Sequence, residues 1–80
     1  MALHDIVSPL PGTFYRRPSS DADYYVAVDA TVAAGAVVGL VEVMKQFTEI
    51  ETDAAGRVVE LLVEDGEPVD AGQVLMRIEG

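Results

Sequence analysis

Hydrophobic positions along this chain come in short runs separated by polar or turn-forming residues, and one long stretch of strand-forming composition spans Leu40 to Thr52. Its thirteen residues are rich in Val, Ile, Phe and Thr and contain no Gly, Pro, Asn or Asp, which is the composition of strand. Strands usually run about three to ten residues, so the segment is predicted to fold back on itself near its middle, at Met44-Lys45-Gln46. A tight two-residue hairpin needs positive φ at both central residues, which favours Asn-Gly or Asp-Gly. Neither dipeptide stands there. A turn made against local preference, inside an otherwise consistent chain, marks a candidate functional site.

The rest of the chain follows the same grammar. Asp5-Ile6-Val7 reads as a short strand stopped by Ser8-Pro9-Leu10-Pro11-Gly12, and Thr13 to Arg16 as a second. Arg17 to Asp23 is a polar loop, Tyr24 to Val28 resumes the strand pattern, and Asp29-Ala30 turns. Thr31 to Gly35 is a short step into a long strand from Val37 to Met44. A helix over Val32 to Val41 is disfavoured by Gly35, Gly39 and the valines. After the hairpin, Phe47 to Thr52 pairs back, with Ile50 between Glu49 and Glu51 giving one inward and one solvent face. Asp53 to Gly56 turns, Arg57 to Val63 is a strand, Glu64 to Pro68 turns, and Val74 to Glu79 closes the sheet.

The two halves repeat. Ile6 and Gly12 match Ile50 and Gly56 at an offset of 44. Val26, Val32, Ala34, Gly35, Val37 and Glu42 match Val63, Val69, Ala71, Gly72, Val74 and Glu79 at an offset of 37. The difference is a seven-residue insertion in the first half, which composition puts at Arg17 to Asp23. Two copies of one β unit, neither able to bury its apolar face alone, predict an all-β sandwich or flattened barrel of about eight short strands with pseudo-twofold symmetry. Residues 1–80 then form a single domain, with Lys45 at the junction of the copies.

Composition narrows the functions open to such a unit. Eighty residues bury only about 60% of their extended surface, so the core is thin. The formal net charge of −9, from 14 acidic and five basic residues, argues against nucleic acid and anionic membrane as partners. There is no cysteine, hence no disulfide or thiolate metal site, which fits a reducing, cytoplasmic setting. The longest apolar stretch, Val32 to Val41, is ten residues with two glycines, against the roughly 20 that cross a bilayer as helix. No signal peptide is read at Met1 to Asp5.

Glu42-Val43-Met44-Lys45 between two glycine-punctuated β repeats resembles the biotin carboxyl carrier domain of biotin-dependent acyl-CoA carboxylases. The likeness covers nearly the whole chain. Ser8-Pro9-Leu10-Pro11-Gly12-Thr13-Phe14-Tyr15-Arg16 looks like the opening of bacterial acetyl-CoA carboxylase carriers, and Gly56 with Leu62 to Val69 matches the second half. The insertion at 17–23 falls where those carriers have a protruding thumb. Val43 replaces a usual Ala, Gln46 a common Met or Leu, and Asp29 a turn Gly, although Asp tolerates left-handed backbone better than most residues. The family's N-terminal segment and Pro/Ala-rich linker are missing, so the sequence reads either as an excised domain or, with Met1 so near the first strand, as a short stand-alone carrier.

The resemblance implies that a biotin protein ligase joins biotin to the Lys45 side-chain nitrogen, with Glu42, Val43, Met44 and Gln46 forming the recognised motif. A biotin carboxylase would then use ATP and bicarbonate to carboxylate the ureido ring, and a carboxyltransferase would pass the carboxyl group to acetyl-CoA or another acyl-CoA, as in fatty acid metabolism. The chain itself would be a non-catalytic carrier without a metal site. Two alternatives share the fold: a lipoyl carrier domain, whose frame is more like Asp-Lys-Ala, and an unmodified interaction module, which needs no hairpin lysine. Blander readings apply elsewhere. Glu49 and Glu51 are two apart, as a glycosidase pair could be, yet solvated edge is the better account in so small a domain. His4 lacks a second imidazole and reads as exposed and inert. Arg16, Arg17, Ser19, Ser20 and Asp21 read as a solvated loop.

Overall fold

A computed structural model describes residues 2–80; Met1 lies outside the described residues. Eight strands follow one another: β1 (Leu3–Val7), β2 (Gly12–Tyr15), β3 (Thr31–Val32), β4 (Val37–Val43), β5 (Gln46–Glu51), β6 (Gly56–Leu61), β7 (Glu67–Val69) and β8 (Val74–Glu79). They build two four-stranded antiparallel sheets, in the orders β1-β8-β6-β3 and β5-β4-β2-β7. Substituting each strand by the one four places along turns one order into the other, which is the expected pseudo-twofold sandwich. The described residues contain no helix.

The core lies between the sheets. Ile6, Phe14, Val32, Val41, Ile50, Val58, Val69, Leu75, Met76 and Ile78 are all buried there. The repeat partners Ile6 and Ile50, Val26 and Val63, and Val32 and Val69 are buried alike. Backbone bonding repeats as well. The Ser8 N–H donates to the Gln73 carbonyl at 2.9 Å, and the Thr52 N–H to the Ala36 carbonyl at 2.9 Å. The Gly72 N–H donates to the Ser8 carbonyl at 2.7 Å, and the Gly35 N–H to the Thr52 carbonyl at 2.6 Å. Both side chains are buried, and both hydroxyls bond a carbonyl two residues on: Ser8 Oγ to Leu10 at 2.6 Å, Thr52 Oγ1 to Ala54 at 2.7 Å. A hydroxyl in this place meets a main-chain acceptor that the sandwich would otherwise leave dry.

Two glycines show why the repeat keeps them. A Cβ at Gly12 would run into the Glu42 carbonyl oxygen, and one at Gly56 into the Glu79 carbonyl oxygen. In both halves the nearest atom is the carbonyl oxygen of the equivalent glutamate.

The structure corrects the expected strands in two places and the exposure of one residue. Tyr24 to Val28 is not a strand. Only Val26 of this segment is buried, where it plugs the core, while Tyr24 and Val28 are exposed, and its main-chain groups bond outside any ladder: the Tyr25 N–H donates to the Arg16 carbonyl, and the Val26 carbonyl accepts from the Arg16 guanidinium. Glu67–Val69, expected partly as a turn, is strand β7, pairing with β2; Pro68 is tolerated because β7 is an edge strand. His4 is half-buried rather than exposed, because it alternates with Asp5 onto the same face as Ile6.

Candidate functional site

The long run folds back where the sequence predicts. Val43 pairs with Gln46, leaving Met44 and Lys45 as a two-residue turn between β4 and β5. Met44 has φ +51° and Lys45 φ +67°, the left-handed pair that a type I′ hairpin requires and that matches the twist of its strands. Left-handed backbone costs an ordinary side chain about 1 kcal/mol or more, and the sheet supplies it through five consecutive cross-strand pairs, Gly39 with Ile50 to Val43 with Gln46. Asp29 is the third positive-φ residue that is not glycine, at +78°, as its short polar side chain allows.

At the tip, Met44 is 92% exposed, while Lys45 and Gln46 are also exposed and Glu42 and Val43 are half-buried. Core filling is therefore not the role of Met44. Among the lysine and arginine side chains of the described residues, Lys45 alone has no partner. Arg77 bridges Asp5 (3.0 Å) and Glu60 (2.7 Å), Arg57 bridges Asp29 (2.5 Å) and Glu79 (3.4 Å), and Arg17 faces Asp65 at 3.9 Å. Arg16 donates to the Val26 carbonyl at 3.1 Å and lies 4.0 Å over the Tyr24 ring. The amine is held out by the turn and tied to nothing.

Register places Thr13, Tyr15, Leu40, Glu42, Phe47 and Glu49 on the outer face of the second sheet. There the Tyr15 hydroxyl donates to Glu42 Oε1 at 3.1 Å, and its ring tilts against Phe47 with centroids 6.3 Å apart. The bond to a carboxylate lifts the Tyr15 phenol above its ordinary pKa, with burial adding to the effect. Phe47, two residues from Lys45, remains 57% exposed. Tyr15 and Phe47 form one wall of a hollow whose other wall is Pro18, Ser19 and Ser20 of the 17–23 loop. The reading from sequence missed Tyr15 and Phe47 as parts of this site; strand alternation from the buried Phe14 was the available signal for Tyr15.

The 17–23 segment is a loop of bends and a turn. The Ala22 N–H donates to the Ser19 carbonyl at 3.1 Å, and the Ser19 hydroxyl donates to Asp21 at 2.7 Å, holding that carboxyl below its usual range. Its base is fixed by the Arg16 N–H donating to Asp65 at 2.7 Å and by Arg17, which lies 5.1 Å over the Tyr24 ring on the flank of the Arg16 stack. Glu49 and Glu51 are both exposed on β5. No group of His, Cys, Asp and Glu side chains among the described residues could hold a metal ion.

A family model described as "Biotin-requiring enzyme" matches residues 4–78. Similar proteins include the biotin carboxyl carrier protein of acetyl-CoA carboxylase from Nostoc sp., 44% identical over 77 residues, which are 96% of this chain and 42% of that protein. The protein of the same description from Pyropia yezoensis is 43% identical over 74 residues, 92% of this chain and 47% of that one. This chain thus spans less than half the length of these relatives. Among solved structures, the urea carboxylase of Kluyveromyces lactis superposes with a TM-score of 0.80 at 25% identity, over 99% of this chain and 6% of that one. The sandwich, its internal repeat and a match running from β1 to β8 agree: the chain belongs to the biotin-requiring enzyme family.

Proposed function

We propose that the chain, as a single unit over residues 1–80, is a biotin carboxyl carrier and that Lys45 is its attachment point. The observation that carries this reading is the placement of the only lysine at the tip of a left-handed two-residue hairpin, unpaired among the described residues. The names of the relatives, carriers of acetyl-CoA carboxylase, support it.

The residues fit the group they would hold. An exposed primary amine on a flexible four-carbon stem is a suitable nucleophile toward an activated carboxyl group, and no neighbouring acid draws it back to the surface. Glu42, Val43, Met44 and Gln46 surround it as the motif that a biotin protein ligase reads. Bound biotin supplies a ureido ring that takes a carboxyl group at a biotin carboxylase and gives it up at a carboxyltransferase, with acetyl-CoA or another acyl-CoA as acceptor. The protein's own contribution is positional. The paired strands keep the base of the arm rigid, and tethering raises the local concentration of the group at both partner sites, to the order of millimolar for short flexible connections. The chain acts without catalysis of its own, in the cytoplasm, and the 17–23 loop serves as a thumb in exchange between partners.

The decisive experiment is Lys45→Arg. Arginine keeps the charge, but its guanidinium stays protonated, with a pKa above about 12, so no amine lone pair is available. After treatment with biotin protein ligase, biotin and ATP, the variant is expected to give a blank avidin blot and an unshifted intact mass, while the parent gains one biotinyl group. A band as strong as the parent's would refute the reading. A lipoylated product in place of a biotinylated one, on challenge with both ligases, would move the chain to the lipoyl class.

A further inference from the structure

We infer that Tyr15 is a positioning residue for modification of Lys45: its hydroxyl holds the Glu42 carboxylate in the orientation that the ligase reads. The inference rests on the carrier reading above and assigns a residue outside the Glu42 to Gln46 motif to the same reaction.

The geometry is specific to this pair. Glu42 lies three residues before Lys45 on β4, and its cross-strand partners are Thr13 on β2 and Phe47 on β5. Neither carries a charge. No arginine reaches Glu42, since the ion pairs of the described residues use Asp5, Asp29, Glu60, Asp65 and Glu79. Left alone, a half-buried glutamate on a strand face samples several rotamers. Here the Tyr15 hydroxyl reaches diagonally across the sheet to Oε1, while the Tyr15 ring is fixed by its tilt against Phe47. One oxygen is used to fix the side chain, and the other is left for an incoming donor. Pre-orienting a charged acceptor in this way lowers the ordering cost of recognition.

The same ring is a wall of the hollow under the 17–23 loop. Tyr15 therefore links that loop to the acid beside the modified lysine. Its aromatic edge belongs to one feature and its hydroxyl to the other.

Tyr15→Phe separates the two, because it keeps the ring and removes only the donor. With biotin and ATP saturating and biotin protein ligase at catalytic concentration, the expected result is a rise of about tenfold or more in KM for the carrier chain, the effect of one hydrogen bond to a charged group, with kcat little changed. Glu42→Gln should show a comparable loss, and the double variant should be no worse than Glu42→Gln alone, since coupled residues are non-additive. The melting temperature of Tyr15→Phe should stay within a few degrees of the parent's. An unchanged KM, or losses that multiply in the double variant, would overturn the inference while a blank Lys45→Arg leaves the carrier reading standing. A collapse of the melting temperature would also overturn it, since the hydroxyl would then be structural. A biotinylated Lys45→Arg chain would remove both readings together.

Discussion

Val43 and Gln46 face each other across β4 and β5 with only Met44 and Lys45 between them, and both of those residues are left-handed. Neither residue type favours that backbone, so the turn stores free energy on the order of 1–2 kcal/mol per residue. Met44→Asn relieves the first of the two strained positions, because Asn tolerates the region and Met44, 92% exposed, has almost no packing to lose. The expected gain is about 1 kcal/mol in urea unfolding, accompanied by slower biotinylation because the motif is altered. Met44→Val should lose a similar amount, as β-branched residues fit this region worst.

The buried hydroxyls give a matched pair of stability tests. Ser8→Ala leaves the Leu10 carbonyl without its bond, and Thr52→Ala leaves the Ala54 carbonyl and the Ala54 N–H without theirs. Each is expected to cost about 1–2 kcal/mol, with Thr52→Ala the larger because it also removes a buried methyl. Denaturant midpoints measured at constant m-value decide this. Ser8→Ala as stable as the parent would mean water reaches the carbonyl.

Removing residues 17–23 and bridging the gap with two glycines should leave the sandwich intact. The flanks already meet, since the Tyr25 N–H donates to the Arg16 carbonyl at 2.8 Å, and the second repeat closes without such a loop. Far-ultraviolet circular dichroism is expected to keep its β signal, with the melting temperature lowered modestly by loss of the Arg17–Asp65 pair, which at a half-exposed surface is worth at most about 1 kcal/mol. Carboxyl exchange with partner subunits should slow. Loss of the β signal would show that the loop is part of the folding unit.

Alkaline titration tests the Tyr15–Glu42 bond directly. The folded-state pKa of Tyr15 is raised above its ordinary value, chiefly by the bond to Glu42, so the neutral phenol is the stabilised form. Its contribution is complete below the unfolded tyrosine value of about 10 and is lost as pH rises through the folded value. Tyr25 is raised too, by burial first and by Glu49 second. Absorbance at the tyrosinate band should therefore show two residues titrating late, and Tyr15→Phe or Glu42→Gln should remove the late Tyr15 component. A Tyr15 component at the ordinary value in the parent would mean the bond is not formed in solution.

Much of this could be read in the chain before its structure. The repeat could be read because close packing leaves signatures in single residues: Gly12 and Gly56 lie under carbonyls, and Val26 and Val63 plug equivalent sites. The hairpin at Met44-Lys45 could be read from length, since thirteen residues are too many for one strand of a small domain. What escaped was tertiary. Tyr24 to Val28 has a strand's composition, but its hydrogen-bond partners are set by Arg16, across the 17–23 loop, which no local pattern carries. The equivalence of Ser8 and Thr52 needed only the offset of 44, yet a hydroxyl beside a proline reads first as a turn. The diagonal reach of Tyr15 to Glu42 depends on register between β2 and β4, and periodicity alone does not fix register.

Ala2 and Gly80 exchange two backbone hydrogen bonds, each 3.0 Å long. By the offsets of 44 and 37 they stand where Gln46 and Val43 stand in the other half, so the counterpart of the lysine hairpin is the place where Ala2 and Gly80 meet. A two-residue loop joining Gly80 to Ala2 would close residues 2–80 into a ring without moving a strand, and the ring could be reopened at an exposed loop such as Ser19-Ser20 to give a circular permutant. For the same reason the unit can be spliced into a surface loop of another protein, entering and leaving at one point on one sheet while Lys45 stays on the hairpin of the other.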